Sequence, residues 1–382
     1  DTFGSVTKPK VALSWRPFDW MMVRSAWSEG FRAPNLQQQY ESGLQRSNLR
    51  TDFIRCEAAR RNDPSIVFTT SCSIPAPNPP STQSVISNRQ GSTELEPEES
   101  TNLTYGFVFE GAFLPPEWGE VSFTADWWRI EQSNVIGIFG DDNHILLDYV
   151  RRVTGQNGGF NPAVVRNTTT DPDDDAFYAG SGIANPGDIL FVEDNYINLD
   201  ERTVQGWDFG LYYDLDDTPL GDFSFRINAA FLDKSFQTVS AAGQETNQRA
   251  ADGVIPAQLS VGGQGDLVRR LGRPEWRFTS SATWRKDAWG AGWFTSYVGD
   301  VYDPDIVPTA TGQNWIVDDF QTHNLYVQYE LGYDTDSPTR FRIGMRNIFN
   351  EEPPLADTNF GYLGDLHNPA GRFLYGSIRK TF

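Results

Sequence analysis

The feature that most constrains the fold is a two-residue hydrophobic alternation that recurs along all 382 residues. In "WDFGLYYDL", for example, Trp207, Phe209 and Leu211 alternate with Asp208 and Gly210. A strand with one apolar and one polar face has this period, whereas an amphipathic helix repeats every three to four residues. Eleven segments carry the pattern: "VALSW", "MMVRSAWSEGF", "LTYGFVFE", "VSFTADWW", "WDFGLYYDL", "FSFRINAAF", "WRFTSSATW", "GWFTSYVGDV", "HNLYVQYEL", "FRIGMRN" and "GRFLYGSIRKTF". The chain is therefore predicted to be all-β.

The connections between these segments alternate in length. The short ones are "RPFD", "LPPEWGE", "DLDDTPLGD", "KDAWG" and "GYDTDSPT". The long ones lie near residues 33–99, 132–200, 237–272, 302–318 and 350–370. The connections of a soluble β-sandwich do not need to alternate between short and long. A transmembrane antiparallel β-barrel does, because its periplasmic turns are short and its extracellular loops are long. We therefore expect the five long connections to be extracellular.

The composition agrees with a barrel. Hydrophobic residues make up only 38% of the chain but aromatic residues 14%, which suits a protein with a thin apolar band between two wet surfaces. Tryptophans near predicted strand ends, such as Trp20, Trp127 and Trp276, match interfacial girdles. The sequence contains no run of 18 apolar residues, so it predicts no transmembrane helix. The net charge of −20 argues against nucleic acid as a partner.

Several stretches resemble the TonB-dependent receptors, the active importers of the outer membrane. The strand-to-loop segment "RSAWSEGFRAPNLQQQY", the lead-in "GSTELEPEES" and the strands "FTADWWRIE" and "ERTVQGWDFGL" match recurring segments of that family. "RIGMRNIFNEEPP" and "GRFLYGSIRKTF" resemble its last two strands. The matching positions are Ser28, Glu29, Gly30, Phe31, Arg32, Ala33, Pro34, Leu95, Pro97, Glu98, Asn347, Phe349 and Pro353. This resemblance covers residues 1–382.

The resemblance implies a 22-stranded barrel that is filled by an N-terminal plug domain and preceded by a short energy-coupling segment. The chain would then supply about eleven C-terminal strands, with plug and coupling segment absent from it. Unpaired strand edges cannot face lipid, so we expect another chain segment to provide the missing barrel half. The implied partners are outer-membrane lipid and lipopolysaccharide, the TonB inner-membrane complex and a small-molecule or oligosaccharide ligand. The expected location is the outer membrane of a Gram-negative bacterium.

The implied function is energised uptake of a scarce nutrient, with ferric siderophores, corrinoids and oligosaccharides all open as ligands. One alternative is a passive porin or structural barrel without energy coupling, and another is a soluble all-β binding protein. The terminal Phe382 resembles the signal that the barrel assembly machinery recognises on the last strand. We therefore expect Phe382 to act in assembly rather than in transport.

Enzyme chemistry has little support in the sequence. His144, His323 and His367 are scattered, and none has a metal-ligand spacing. There is no G-x-S-x-G motif and no phosphate-binding glycine loop. We expect no enzymatic activity and no cofactor.

Two sets of side chains are candidates for ligand contact. Charged residues on the polar faces of the strands either guide substrate or hold the plug, or simply pair with one another on a hydrated wall. These charged residues are Arg24, Arg226, Arg277, Arg285, Arg342, Arg346, Glu110, Asp126, Asp208, Asp214 and Glu330. Aromatic residues of the long connections either stack on a ligand or pack the loops together. The aromatic candidates are Phe160, Phe177, Tyr178, Tyr196, Tyr302, Trp315, Phe360 and Tyr362.

The long connection at 132–200 holds an acidic run and a helical pattern. Asp171, Asp173 and Asp175 are a candidate calcium site, but their spacing does not match an EF-hand, and a solvated acidic loop is the favoured reading. In "NHILLDYVRRVTG" the apolar residues recur at helical spacing, which predicts a short helix that packs this loop down.

Cys56 and Cys72 lie in the first long connection. We predict that they form a disulfide, because closing a loop of about 15 residues would stabilise it by roughly 3 kcal/mol in the chain-entropy model. The alternative is two free thiols. A disulfide implies an oxidising compartment.

Overall fold

The computed structural model describes residues 5–66, 72, 74, 80–111, 115–168, 171–257, 259–270, 272–303, 314–356 and 360–381. Phe382, the predicted assembly signal, lies outside these residues. The elements, in chain order, are β1 (Lys10–Phe18), β2 (Met21–Arg32), α1 (Leu36–Tyr40), β3 (Leu44–Thr51), α2 (Phe53–Asn62), β4 (Thr82–Arg89), β5 (Glu98–Glu110), β6 (Glu120–Ser133), β7 (Val135–Gly137), α3 (Asp141–Thr154), β8 (Val164–Arg166), α4 (Pro172–Ser181), β9 (Ile189–Glu193), β10 (Ile197–Leu199), β11 (Arg202–Thr218), β12 (Gly221–Gln237), α5 (Ala241–Ala251), β13 (Gly265–Asp266), β14 (Trp276–Lys286), β15 (Trp289–Val298), β16 (Val301–Asp303), β17 (Trp315–Val317), β18 (Phe320–Leu331), β19 (Thr339–Arg346) and β20 (Phe373–Lys380).

A large antiparallel sheet dominates the described residues, which confirms the prediction of a mostly antiparallel all-β chain. Its strands follow the order β1-β2-β5-β6-β11-β12-β14-β15-β18-β19-β20, and the short β13 pairs with β12 beside this path. Each of the alternating sequence segments overlaps a strand on the path. The connections along it are alternately short and long. Strands β1 and β20 form its two edges and do not pair with each other, so the sheet is not closed within the described residues.

The register divides the sheet into two chemically distinct faces. Arg24 lies opposite Gly106, Gly106 opposite Asp126, and Asp126 opposite Asp208, so these residues share one face, which we call the charged face. The neighbours of these residues along each strand point the other way, because side chains alternate between the faces of a sheet. That second face, the apolar face, exposes large hydrophobic side chains, among them Val11, Leu13, Trp15, Trp207, Leu211, Phe225, Ile227, Leu325, Val327, Ile343, Leu374 and Ile378.

The long connections fold into a structure of their own. Strands β3, β4, β9 and β8 form a second sheet, in which β4 and β9 are parallel and the other pairs antiparallel. Helix α2 packs against α3 and α4, and α3 packs against α5 and against β8 and β9 of this sheet. We call these four helices and four strands the loop subdomain. Of its helices, the sequence predicted only α3, and the structure confirms it.

The main hydrophobic core of the described residues lies in the loop subdomain rather than in the large sheet. Helix α3 contributes Ile145, Leu146, Tyr149 and Val150, which are at most 4% exposed. Other core members come from each connection that builds the subdomain: Phe53, Ile54, Cys56, Ala58, Ala59, Cys72, Val85, Val164, Phe177, Tyr178, Ile189, Val192, Ala250, Ile255 and Leu259. Three connections that are far apart in sequence are therefore held together by one shared core.

A buried ionic network connects helices α2 and α3 with strand β8. Arg166 of β8 donates to Asp52, the N-cap of α2, at 2.7 Å, and to Asp148 of α3 at 3.0 Å. The side chains of all three residues are at most 4% exposed. Buried charges are tolerated when they are paired and hydrogen-bonded, as these are. The network therefore fixes α2, α3 and β8 relative to one another.

Within the described ranges, no helix combines the length and the apolar character needed to cross a membrane.

Candidate functional site

Part of the charged face is neutralised by ion pairs between strands. Arg24 donates from Nε to Asp126 at 2.8 Å across Gly106, and Arg226 pairs with Asp214 at 2.6 Å. A side chain at position 106 would collide with this first pair, because a Cβ there would lie 2.0 Å from Asp126 Oδ1. Arg277, Arg285 and Arg346 of the same face have no carboxylate partner among the described residues, so a paired wall and a role in guiding substrate or holding the plug both stay predictions.

A cavity of about 460 Å³ lies where the charged face meets the long connections. We call it the rim cavity. Its floor is a row of directly opposed residues, Gly30, Ser100, Gln132 and Arg202, taken from four successive strands. A Cβ at position 30 would lie 2.3 Å from Ser100 Oγ, so a larger residue than Gly30 would force the Ser100 hydroxyl to rotate. The cavity is further lined by Phe31, Arg32, Glu98, Glu99, Val135 and Ile136.

The two arginines of the rim cavity differ in their partners. Arg32 forms an ion pair with Glu98, which also accepts a hydrogen bond from the backbone N–H of Ile136 at 2.7 Å. Arg202 donates from Nε to the side-chain oxygen of Gln237 at 3.0 Å. Among the described residues, no carboxylate lies within ion-pair distance of Arg202. Of the two arginines, Arg32 is therefore ion-paired and Arg202 is hydrogen-bonded to a neutral side chain, and the cavity also contains the carboxylates of Glu98 and Glu99.

The predicted ligand-contact aromatics do not form one site. Phe177 and Tyr178 lie in the core of the loop subdomain, where Tyr178 is 2% exposed. Burial raises the pKa of the Tyr178 hydroxyl, and no hydrogen-bond partner for this hydroxyl occurs in the described part of the chain. Both residues therefore pack the loops together, which was the alternative reading for these aromatics.

Two other candidates lie at the surface of the loop subdomain. The Phe160 ring is 46% exposed, with the Arg152 guanidinium 5.9 Å from its centre. The half-buried Tyr196 has the Arg89 guanidinium at 5.6 Å. Both contacts are within the range of cation–π attraction.

The remaining candidates belong to the last two long connections. Tyr302 lies in β16 and Trp315 in β17, the two strands of one hairpin. The Trp315 indole N–H donates to the carbonyl of Leu355 at 3.2 Å, which ties the hairpin to the connection that carries Phe360 and Tyr362. This hairpin packs on that connection through a small core of Val301, Val317, Ala356, Leu363 and Leu366. Tyr302, Trp315, Phe360 and Tyr362 are thus brought into one region, whereas Phe160 and Tyr196 belong to another.

The acidic run at 171–175 is the start of a helix rather than a solvated loop. Asp171 caps α4 by accepting from the backbone N–H of Asp173 at 2.8 Å, and Asp174 pairs with Arg55 at 2.9 Å. Acidic residues in a first turn are favourable because the helix dipole is positive there. Asp175 accepts from Asn185 at 2.7 Å. These contacts account for the run without calcium, and the described residues include no cluster of three or more His, Cys, Asp or Glu suited to a metal ion.

Cys56 and Cys72 are neighbours in the core of the loop subdomain. The structure holds them as two buried thiols in hydrogen-bonding contact. Burial raises the pKa of the Cys56 thiol. The spatial approach that a disulfide requires is present, and the disulfide itself stays a prediction.

Sequence reasoning missed Arg202. It considered Arg24, Arg226, Arg277, Arg285, Arg342 and Arg346 as charged-face residues. Arg202 keeps the same parity as Asp208 along "ERTVQGWDFGL", so extending the alternation by three steps would have included it.

No curated protein matches the sequence. The siderophore receptor PirA from Acinetobacter baumannii is 14% identical, with a TM-score of 0.53 over 97% of this chain and 40% of that one. The ferric enterobactin receptor PfeA from Pseudomonas aeruginosa, as a mutant in complex with enterobactin, is 15% identical, with a TM-score of 0.53 over 97% and 40%. At these identities the likeness concerns the fold alone.

The chain spans 40% of the length of these two receptors. The family model described as "TonB dependent receptor-like, beta-barrel" matches residues 1–348. That range includes β1 to β19, and with them the strands that line the rim cavity. The chain therefore belongs to the TonB-dependent receptor β-barrel family.

Proposed function

We propose that this chain is part of a TonB-dependent receptor that imports a scarce nutrient across the outer membrane of a Gram-negative bacterium. The family match over residues 1–348 carries the proposal. The family consists of transport receptors, not enzymes. The two-faced antiparallel sheet adds physical support, since an apolar outer band and a polar interior are what a large membrane barrel needs.

In this proposal the apolar face contacts lipid and the charged face lines the barrel interior. The free edges of β1 and β20 expose unpaired backbone groups, which hydrocarbon does not tolerate. Further strands of the protein therefore pair with both edges and complete a barrel of 22 strands, and a plug domain fills its interior. The paired wall of arginines and carboxylates on the charged face then surrounds the plug.

The long connections then face the exterior, in contact with lipopolysaccharide at the membrane surface. The loop subdomain supplies a rigid wall to the entrance, and the rim cavity lies at the boundary between entrance and barrel interior. The aromatic candidates that remain for ligand contact in the same receptor are Phe160, Tyr196, Tyr302, Trp315, Phe360 and Tyr362. Transport requires the TonB inner-membrane complex, which acts through the plug, and assembly requires the barrel assembly machinery, with Phe382 as its signal.

The transported ligand is a ferric siderophore, a corrinoid or an oligosaccharide. The test is growth and uptake of a deletion strain on ferric chelates, corrinoids and glycans, each supplied as the limiting nutrient. We expect the deletion strain to lose high-affinity uptake of one of these classes, and the complemented strain to regain it. Unchanged uptake of all three classes would contradict the proposal.

A further inference from the structure

The last long connection does not take the direct route between the two strands that it joins. Strands β19 and β20 are neighbours, and Arg346 at the end of one lies opposite Phe373 at the start of the other. We call residues 360–372, the part of this connection that precedes β20, the strap. A short turn is enough to join two such strands, so the course of the strap is set by what it packs on.

Both ends of the strap are fastened by hydrogen bonds. At its start the carbonyl of Gly361 accepts from the backbone N–H of Ala356 at 2.9 Å. At its end the side-chain oxygen of Asn350 accepts from the backbone N–H of Arg372 at 3.0 Å. Asn350 has a φ of 58°, a left-handed conformation that asparagine adopts more readily than most residues. The middle of the strap is held by its packing instead.

The middle of the strap lies over the charged face. Its two leucines pack against the hairpin of β16 and β17. The ring of His367 packs on Phe320, the first residue of β18, with 5.3 Å between ring centres. Phe320 is directly opposite Val298, and Val298 is directly opposite Arg277, so these three side chains share the charged face. His367 therefore covers the charged face at its mouth.

The imidazole of His367 is buried without hydrogen bonds. It is 1% exposed, and neither ring nitrogen has a hydrogen-bond partner in the part of the chain that the structure describes. A neutral imidazole has one N–H donor and one acceptor nitrogen. Burying both without partners costs free energy, because each loses its hydrogen bonds to water and gains none. The closed position of the strap is therefore less stable than its apolar packing alone would make it.

The surroundings of His367 also disfavour a proton on the ring. Burial lowers its pKa from 6.5, and the positive charge of Arg277 lowers it further. The other charged groups on the surrounding elements are Asp303 of β16, Asp318 and Asp319 before β18, and Asp365 of the strap. None of these carboxylates accepts from the ring. Because the pKa is lowered in the closed position, closure is favoured above pH 6.5 and weakens as the pH falls below it.

We propose that the strap is a pH-sensitive gate over the mouth of the charged face and that His367 is its latch. With a neutral ring against Phe320, the strap is closed. At lower pH a proton from solvent binds the ring, and the imidazolium moves into water. The middle of the strap then lifts from the sheet while its two ends stay fastened, which makes Arg277 and Phe320 accessible. This inference goes beyond the proposed import function, because it holds for any nutrient.

Hydrogen exchange of the native protein, purified from membranes in detergent, tests the gate. The backbone N–H groups of Leu366 and His367 donate to the carbonyl of Leu363 at 3.0 and 2.8 Å, so their protection reports the closed strap. Between about pH 7.5 and about pH 5, we expect this protection, corrected for intrinsic rates, to fall by up to about tenfold per pH unit, the limit for one proton. Amides of β18 and β19 should keep their protection.

Two variants identify the latch. His367→Leu introduces an apolar side chain that needs no partner, so it should raise the protection of the strap and remove its pH dependence. His367→Gln keeps a polar group but binds no proton in this range, so it should remove the pH dependence without raising the protection. The matched control is His144→Gln, which removes a histidine from the loop subdomain and leaves the strap untouched. We expect this control to keep the native pH dependence of the strap.

Three results would overturn the inference. The first is equal protection of the strap at both pH values in the native protein. The second is a pH dependence that persists in both His367 variants. The third is a loss of protection in β18 and β19 together with the strap, which would indicate unfolding rather than opening. The measurement uses purified protein without a nutrient, so its outcome does not depend on whether the receptor imports one.

Discussion

At the scale of single residues, His144 is a buried base in the loop subdomain. Burial lowers its pKa from 6.5 to about 4, the carboxylate of Asp141 opposing this in part. Its ring packs against Phe139 with 4.9 Å between ring centres, and its Nε2 lies 3.7 Å from the carboxylate of Asp194. At mildly acidic pH the folded state therefore keeps His144 neutral, whereas the unfolded segment would bind a proton there.

We predict that the loop subdomain loses stability as the pH falls from about 6.5 to about 4, because the unfolded state binds more protons than the folded state in that window. The loss is at most about 3 kcal/mol for a shift of this size. Hydrogen exchange of α3, corrected for intrinsic rates, measures it. The variant His144→Gln should flatten the dependence in that window, and an unchanged slope in this variant would assign the effect to other groups.

The cysteine pair carries a second prediction at this scale. Cys56 and Cys72 are adjacent in the core, so a bond between them needs little rearrangement, and an oxidising compartment would favour it. We expect mass spectrometry without reductant to find one linked peptide pair. Recovery of two alkylatable thiols after unfolding in the absence of reductant would refute the disulfide.

At the scale of elements, Arg166 connects helix α2, helix α3 and strand β8, so its replacement should destabilise the loop subdomain. We predict that Arg166→Gln destabilises the loop subdomain by about 3–5 kcal/mol, because it leaves the buried carboxylates of Asp52 and Asp148 without their shared cation. Limited proteolysis of the long connections measures this loss. The control Arg249→Gln removes a partly exposed pair with Asp252 at 3.5 Å and should cost under about 1 kcal/mol.

The two faces of the large sheet give a further prediction. Ile343 of β19 is 66% exposed on the apolar face. We expect Ile343→Lys to reduce the amount of folded, heat-modifiable protein in the outer membrane, since a lysine facing lipid near the bilayer centre costs about 2–4 kcal/mol. Thr279→Lys places the same charge on the charged face and should assemble normally. Equal assembly of both variants would contradict the assignment of the faces.

The elements also show what the sequence could predict and why. The alternation located every strand on the path of the large sheet, because each of these strands has two different environments. Helix α3 was predictable because its apolar residues Ile145, Leu146, Tyr149 and Val150 recur at helical spacing. Helix α2 was not, because the charged residues Arg55 and Glu57 are buried among its apolar residues and interrupt such a pattern. The sequence predicts a solvated loop at the start of α4, because the acidic residues there form a charged run. In the structure this run begins a helix that Asp171 caps.

The candidate site was predicted less well than the strands. Aromatic character alone could not separate Tyr178, which is buried in a core, from Trp315, which is 41% exposed. The distinction depends on how connections far apart in sequence pack together, and no local pattern records that. Arg202 was missed although the alternation along "ERTVQGWDFGL" reaches it, and its place in the rim cavity depends on the pairing of four strands.

At the scale of the whole molecule, the loop subdomain and the large sheet differ in where their apolar side chains lie. The loop subdomain buries its apolar residues against one another, as a water-soluble domain does. The large sheet exposes its apolar residues instead, which is unfavourable in water and favourable against lipid. A soluble binding protein would not combine these two arrangements, so extraction from cells should require detergent.

The central claim is that import through this receptor is energised, and a protonophore tests it most directly. The measurement is cellular accumulation of the nutrient whose uptake the deletion strain loses, with and without the protonophore. We predict that energised wild-type cells accumulate the nutrient above its external concentration. Protonophore-treated cells should retain surface binding but not accumulate it, because the inner-membrane complex can no longer act on the plug. Uptake that continues at the untreated rate would contradict the account and identify a passive pore.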